Sequence, residues 1–349
     1  MWTFIKKYLG WRNWAVLTYN SIFENLFVVF YIGLRTFNYS DQFMLDIFIF
    51  LLFSIFSTTY GYLINDYADI DLDREHGKSN TFEDDSKPKA ILVSLLFLVL
   101  SIFAGMHFTS NQNFALLWLF WIVITTFYSL PPIRLKERGK VGLLFVVFAQ
   151  RLIPILLVFT AFNFSFGWEL LFLAVYVFFR GASSDINHQL EDYENDIATG
   201  TSTYTVGQGK KKVETILRFS LEAEKILLLG IVLYFLTSLF YLEFLPFLAL
   251  IGTAVLYIGM YFYSFTLIFS KNKIDVNPFK PSGSSIFQFL HHSFPSVIFA
   301  ISLNMILIYY NWKFVTIFIV LGMLRGVFSP TMIKNSFIFK FFTKVVKRG

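Results

Sequence analysis

The chain has 349 residues, of which 56% are hydrophobic, 20% aromatic and only 15% charged, with a net charge of +6 and a mean hydropathy of +0.61. Soluble domains carry about a quarter charged residues, so a water-soluble globule is excluded, and the lack of Cys removes disulfides, thiolate metal sites and cysteine nucleophiles. The positive balance needs no nucleic acid, since basic cytoplasmic loops of a membrane protein give the same sum.

In chain order, the segment from Met1 to Leu17 runs into a first apolar stretch without a small-residue cleavage site, which reads as a retained N-terminus. A bilayer is crossed by about 20 apolar residues. On that measure spans are predicted near 14–34, 43–64, 90–108, 113–129, 142–162, 167–184, 224–242, 245–270 and 286–308, with a shorter tenth candidate at 314–328. The expected fold is therefore all-α, a polytopic membrane bundle of about nine core helices. It is read as one domain over 1–349, with 314–349 as an extra span and basic tail. Lys and Arg concentrate in 65–89, 130–140, 208–225 and 271–280, which puts those loops in the cytoplasm. The expected location is a bacterial inner membrane, multi-pass, with the lipid bilayer as a partner and the polar loops inside.

The end of the second span reads Asn65-Asp66-Tyr67-Ala68-Asp69-Ile70-Asp71-Leu72-Asp73. If the helix continues, Asn65, Asp66, Asp69 and Asp73 fall within an arc of about 100°, and Asp71 points nearly opposite. After the sixth span, Asp185, Gln189, Asp192 and Asp196 share an arc of about 60°, while Glu191 and Glu194 turn away. Carboxylates on one face repel unless a cation lies between them. Hard oxygen ligands without a His or Cys framework suit Mg²⁺, which leaves coordination positions for a substrate phosphate. The four-span interval between the clusters also hints at a duplication with the site between its halves, a habit shared by transporters.

Between the clusters, Pro131-Pro132 breaks the helix and Arg134, Lys136 and Arg138 follow at alternate positions. In an extended segment these three cations would line one surface and, with Mg²⁺, neutralise a departing diphosphate. Polar residues at membrane depth are usually functional or paired. In the first span Asn20 and Glu24 read as an acceptor-facing patch or as a structural hydrogen bond between helices; Arg151 and Arg180 read as functional cations or as partners of carboxylates.

These residues resemble the UbiA superfamily of intramembrane prenyltransferases. Asn65-Asp66-x-x-Asp69-x-x-x-Asp73 is similar to its first aspartate motif, Asp192-x-x-x-Asp196 with Gly200 and Thr203 to its second, and Tyr128-Ser129 with Arg134 and Lys136 to its basic loop. The resemblance covers about 15–250 by span order. It implies a cavity open to the membrane, two Mg²⁺ ions on a prenyl diphosphate donor, and attack on the allylic carbon by an aromatic or lipid acceptor. Carried onto this sequence, it has Asp66, Asp69 and Asp73 hold one ion and Asp192 with Asp196 the other. Arg134, Lys136, Tyr128, Gln189 and Asn65 would bind or orient the donor, with Asp185 helping to remove the acceptor's proton. The Arg-Pro pair often found at the start of the family's first span is missing, which puts acceptor recognition by Asn20 and Glu24 outside the family's usual pattern. A related branch transfers phosphoribose to a polyprenyl phosphate, and Trp11-Arg12-Asn13-Trp14 does not reproduce that branch's opening segment.

Overall fold

A computed structural model of the chain describes residues 2–9, 21–269, 275–280 and 285–324. Among them every regular element is a helix, and the one strand-like pairing is an isolated bridge between Gly139 and Thr203. In chain order the helices are α1 (Trp2–Tyr8), α2 (Ser21–Arg35), α3 (Asp41–Glu75), α4 (Lys87–Gly105), α5 (Gln112–Ser129) and α6 (Lys140–Ala161). They continue with α7 (Trp168–Glu191), α8 (Tyr193–Ala198), α9 (Tyr204–Gln208), α10 (Lys210–Ser238), α11 (Phe244–Ile268), α12 (Ser285–Tyr310) and α13 (Val315–Leu324). Asn20 and the basic tail beyond Leu324 lie outside the described residues.

Six of these helices, α3, α4, α5, α6, α11 and α12, are long and apolar enough to cross a membrane. Helices also stand at the other three predicted spans, but α2 is only 15 residues long, and α7 and α10 carry ionisable groups in their apolar stretches. Leu92, Phe103, Leu116, Leu119, Val255 and Phe262 are exposed on α4, α5 and α11. Apolar surface of that kind needs lipid around it.

The chain divides into two compact units, one formed by Met1–Asn25 and Leu45–Leu228, the other by Leu26–Met44 and Leu229–Gly349. In the second unit Tyr31 stacks on Phe235 at 3.8 Å between ring centroids, and Phe27 meets Phe299 at 5.0 Å. The Tyr241 hydroxyl donates to the carbonyl of Leu34 at 2.9 Å, and Asn311 caps that end by donating to the Tyr39 carbonyl at 2.8 Å.

The first unit holds a buried ionic group. Glu24 accepts from Arg151 Nη1 at 2.6 Å and also contacts Arg180. Arg180 lies 3.7 Å from Glu224, which accepts from Ser183 Oγ at 2.8 Å. All four ionisable side chains are nearly inaccessible, and two acids facing two bases leave no net charge, the condition for burying ions in lipid. Arg180 thus pairs with glutamates on other helices rather than with Asp185 one turn along. Arg151 reaches this group from a π-helical turn, Phe148–Leu152, in α6. The Ala149 carbonyl there accepts from the Trp121 indole at 2.7 Å.

Candidate active site

α3 runs without a break through its acidic end, meeting the condition on which the helical arc rested, and stops where Gly77 takes a left-handed φ of +64° and Lys78 N donates to the Asp73 carbonyl at 2.8 Å. Only glycine adopts that conformation without strain. α5 ends at Ser129, ahead of the two prolines, which cannot continue it. α7 ends at Glu191, and its chain restarts as α8 after a break at Asp192.

These ends converge, all within the first unit, on a cavity of about 650 Å³. Its polar part is lined by Asn65, Asp69, Asp73, Tyr128, Arg134 and Lys136 from the ends of α3 and α5 and the basic loop, and by Asp185, His188, Gln189, Asp192 and Asp196 from α7 and α8. Its apolar part is lined by Phe50, Phe53, Trp118, Trp121, Val146 and Leu157. Along α3 the lining reaches from Asp73 to Phe50, about 35 Å at 1.5 Å per residue, so acids lie at one end and rings at the other.

Asp69 is held by the basic loop. Lys136 Nζ donates to its Oδ1 at 2.6 Å, and Arg134 Nη2 reaches the same oxygen at 3.2 Å. Arg134 also pairs with Glu137. Asn65 Oδ1 accepts from Ser129 Oγ at 2.7 Å. Burial lowers the Lys136 ammonium from its ordinary value, partly offset by Asp69. The loop is not extended as the alternation suggested. Arg134 has a φ of +46°, Leu135–Glu137 form a 3₁₀ turn, and Arg138 donates to the Ile133 carbonyl at 3.1 Å outside the cavity lining. The turn rests on Gly142, where a Cβ would stand 2.6 Å from the Leu135 carbonyl oxygen.

Asp66 also departs from the sequence reading. It is buried away from the cavity lining, and its Oδ2 accepts from the Thr81 backbone N–H at 3.1 Å. Asp71 is turned outward and pairs with Lys87 at 2.5 Å. In the second cluster Gln189 Nε2 donates to Asp185 Oδ2 at 2.7 Å, while Gln189 Oε1 accepts from Thr205 N at 3.1 Å. Asp192 lies 3.7 Å from His188. Burial raises the Asp196 carboxyl, opposed by a hydrogen bond from Thr203. The strand-like bridge joins the two loops, with Gly139 N donating to the Ser202 carbonyl at 3.1 Å. Glu24 is not part of the cavity lining; Asn25 and Arg151 are. Lys78 and Asn80, which the sequence reading passed over, lie respectively on the cavity and against Asp73.

Among the described residues no three His, Cys, Asp or Glu side chains are grouped closely enough to hold a metal ion unaided. The donor set nevertheless fits a hard cation. Asp69, Asp73, Asp192 and Asp196 all line the one cavity, and Mg²⁺ is bound through one or two carboxylates plus substrate phosphate.

No curated protein matches the sequence. Among solved structures, a UbiA homologue from Archaeoglobus fulgidus bound to DMAPP and Mg²⁺ superposes with a TM-score of 0.53 at 19% identity, covering 82% of this chain and 96% of that one. The same homologue bound to GPP and Mg²⁺ gives a TM-score of 0.54 at 20% identity, with 82% and 96% covered. The apo structure of a UbiA homologue from Aeropyrum pernix K1 gives 0.54 at 15% identity, with 82% and 97% covered. These likenesses establish the fold. Residues 26–280 match the UbiA prenyltransferase family, and the chain belongs to that family.

Proposed function

We propose that the chain transfers an isoprenyl group from a prenyl diphosphate to a hydrophobic or aromatic acceptor inside the membrane, as a single functional domain with nine membrane-crossing helices and its polar loops on the cytoplasmic side. The observation that carries this reading is the polarity of the cavity, with carboxylates and the Arg134–Lys136 turn at one end and a ring-lined apolar stretch at the other. A prenyl diphosphate has the same division of charge and hydrocarbon. The A. fulgidus homologue bound to DMAPP or GPP with Mg²⁺ supports the same class of donor here.

In this reading Asp69 and Asp73 would hold one Mg²⁺ and Asp192 and Asp196 another, and the ions would supply positive charge that stabilises the departing diphosphate. Asn65, braced by Ser129, and Tyr128 orient the donor. Arg134 and Lys136 exchange their contact with Asp69 for the diphosphate oxygens. Phe50, Phe53, Trp118 and Trp121 hold the prenyl chain away from water, and ring faces near the polar end steady the allylic cation. The bond from the allylic carbon to the diphosphate oxygen breaks, its electron pair leaving with the diphosphate. The acceptor bonds to that carbon and gives its proton to Asp185, which Gln189 holds in place.

The test is transfer from radiolabelled DMAPP and GPP to a panel of phenolic and lipid alcohol acceptors, using purified protein in lipid nanodiscs. Transfer is expected to stop in excess chelator and return on adding Mg²⁺ or Mn²⁺. Turnover undiminished by chelator would defeat the metal reading. Thermal protection by phosphoribosyl diphosphate, but not by GPP, would instead point to phosphoribosyl transfer.

A further inference from the structure

Asn80 is a buried amide in the polar segment between α3 and α4, where most neighbours are exposed. Its Nδ2 donates twice, to Asp73 Oδ2 at 2.7 Å and to the Asp66 carbonyl at 2.8 Å. Its Oδ1 accepts from Phe82 N at 2.8 Å, which folds the segment back as an Asx turn. The neighbouring Thr81 N–H engages the Asp66 carboxylate. One side chain thus bridges two turns of α3, from Asp66 to Asp73.

The segment is anchored in turn by α1. Phe82 is fully buried, and its ring lies 5.9 Å from that of Tyr8. The Tyr8 hydroxyl donates to Asp85 Oδ2 at 2.9 Å, and Lys7 and Lys89 each reach Asp85 at 2.7 Å. The chain of contacts therefore runs from the N-terminal helix, through a packed loop, to an acid facing the cavity.

We propose that Asn80 is a positioning residue for the first acidic set. Resting on the reading of Asp73 as a metal ligand, it ties Oδ2 so that Oδ1 is presented to the cavity in one orientation before donor and metal arrive. A partner of this kind sets the direction of a ligand it does not replace, and its loss typically weakens metal affinity about 10- to 100-fold.

The experiment is a Mn²⁺ titration followed by loss of the free-ion EPR signal, with the protein saturated with geranyl thiodiphosphate, which lacks a good leaving group. Asn80→Ala and Asn80→Ser are compared with wild type and with Asp71→Ala. The serine keeps an oxygen for the turn to Phe82 but cannot reach Asp73, so it serves if the alanine variant does not fold. Affinity lowered about tenfold or more in an Asn80 variant, with Asp71→Ala unchanged, is the expected result. Unchanged affinity in the Asn80 variants overturns the inference, as does an equal loss in Asp71→Ala, which would reflect general loosening of α3. Failure of the wild type to bind Mn²⁺ would defeat the metal reading itself.

Discussion

Asp69 and Asp71 stand two residues apart, yet one faces the cavity beneath Lys136 and Arg134 and the other faces out toward Lys87. Asp69→Ala is expected to lower transfer about 10²- to 10³-fold, the scale for losing a group that stabilises charge in the transition state. Asp71→Ala loses only an exposed ion pair and should stay within about twofold. Single-turnover transfer measures both, and equal damage would contradict the helix face seen here. At this scale much was legible from the 3.6-residue period alone, which groups Asn65, Asp69 and Asp73. The period also grouped Asp66, but the backbone of Thr81 claims that carboxylate. A contact made by a returning loop leaves no trace in helical spacing, and for the same reason Asn80 went unnoticed.

Among elements, the basic loop shows what alternation cannot predict. Arg134 and Lys136 reach the cavity because a 3₁₀ turn packs on Gly142, whereas Arg138 is left outside. Gly142→Ala would set a methyl 2.6 Å from a backbone oxygen and force the turn away. The expected outcome is a loss of about 1–3 kcal/mol in stability from overpacking and a raised KM for the donor, read from thermal unfolding and steady-state kinetics. The α1 anchor has a pH signature. Burial pushes the Asp85 carboxyl up, but Lys7, Lys89 and Tyr8 together hold it at about 2, against an ordinary value of about 3.9. A depressed carboxyl stabilises above its unfolded value and loses that contribution as pH falls through the folded one. Protease sensitivity of the N-terminal segment should therefore be flat from pH 7 to 5 and rise between pH 4 and 2. Asp85→Asn should give the sensitive behaviour already at pH 7.

For the whole molecule, hydropathy located the apolar stretches, and a helix stands at each of the nine predicted spans, six of them long and apolar enough to cross a membrane. Arg180 and Glu224 lower the apparent apolarity of α7 and α10 but are neutralised inside the first unit. A sum over residues cannot see pairing across helices. Glu24 belongs to the same arrangement, for its carboxylate is occupied by Arg151 and Arg180, the structural side of the two roles its sequence position suggested. Glu24→Ala would leave two guanidinium groups facing one remaining acid. Removing one partner of a buried pair costs about 3–5 kcal/mol, so the variant is expected to yield little monodisperse protein by size exclusion. Near-normal yield and melting temperature would show that water or lipid headgroups reach the cluster.

The π-helical turn in α6 has a further consequence for how this helix tolerates change in length. A π turn is an α-helix carrying one surplus residue, so the two halves of α6 are out of phase by about 100°. Pro154 and Leu157, beyond the turn, line the cavity with that offset in place. Deleting any one residue from 148–152 would remove the surplus, restore regular α winding and leave Ile153–Ala161 facing as they do, whereas a deletion within Ile153–Ala161 would turn everything after it by about 100°. Within these five positions the chain can lose one residue and keep the same face toward the cavity, a tolerance that the rest of α6 lacks.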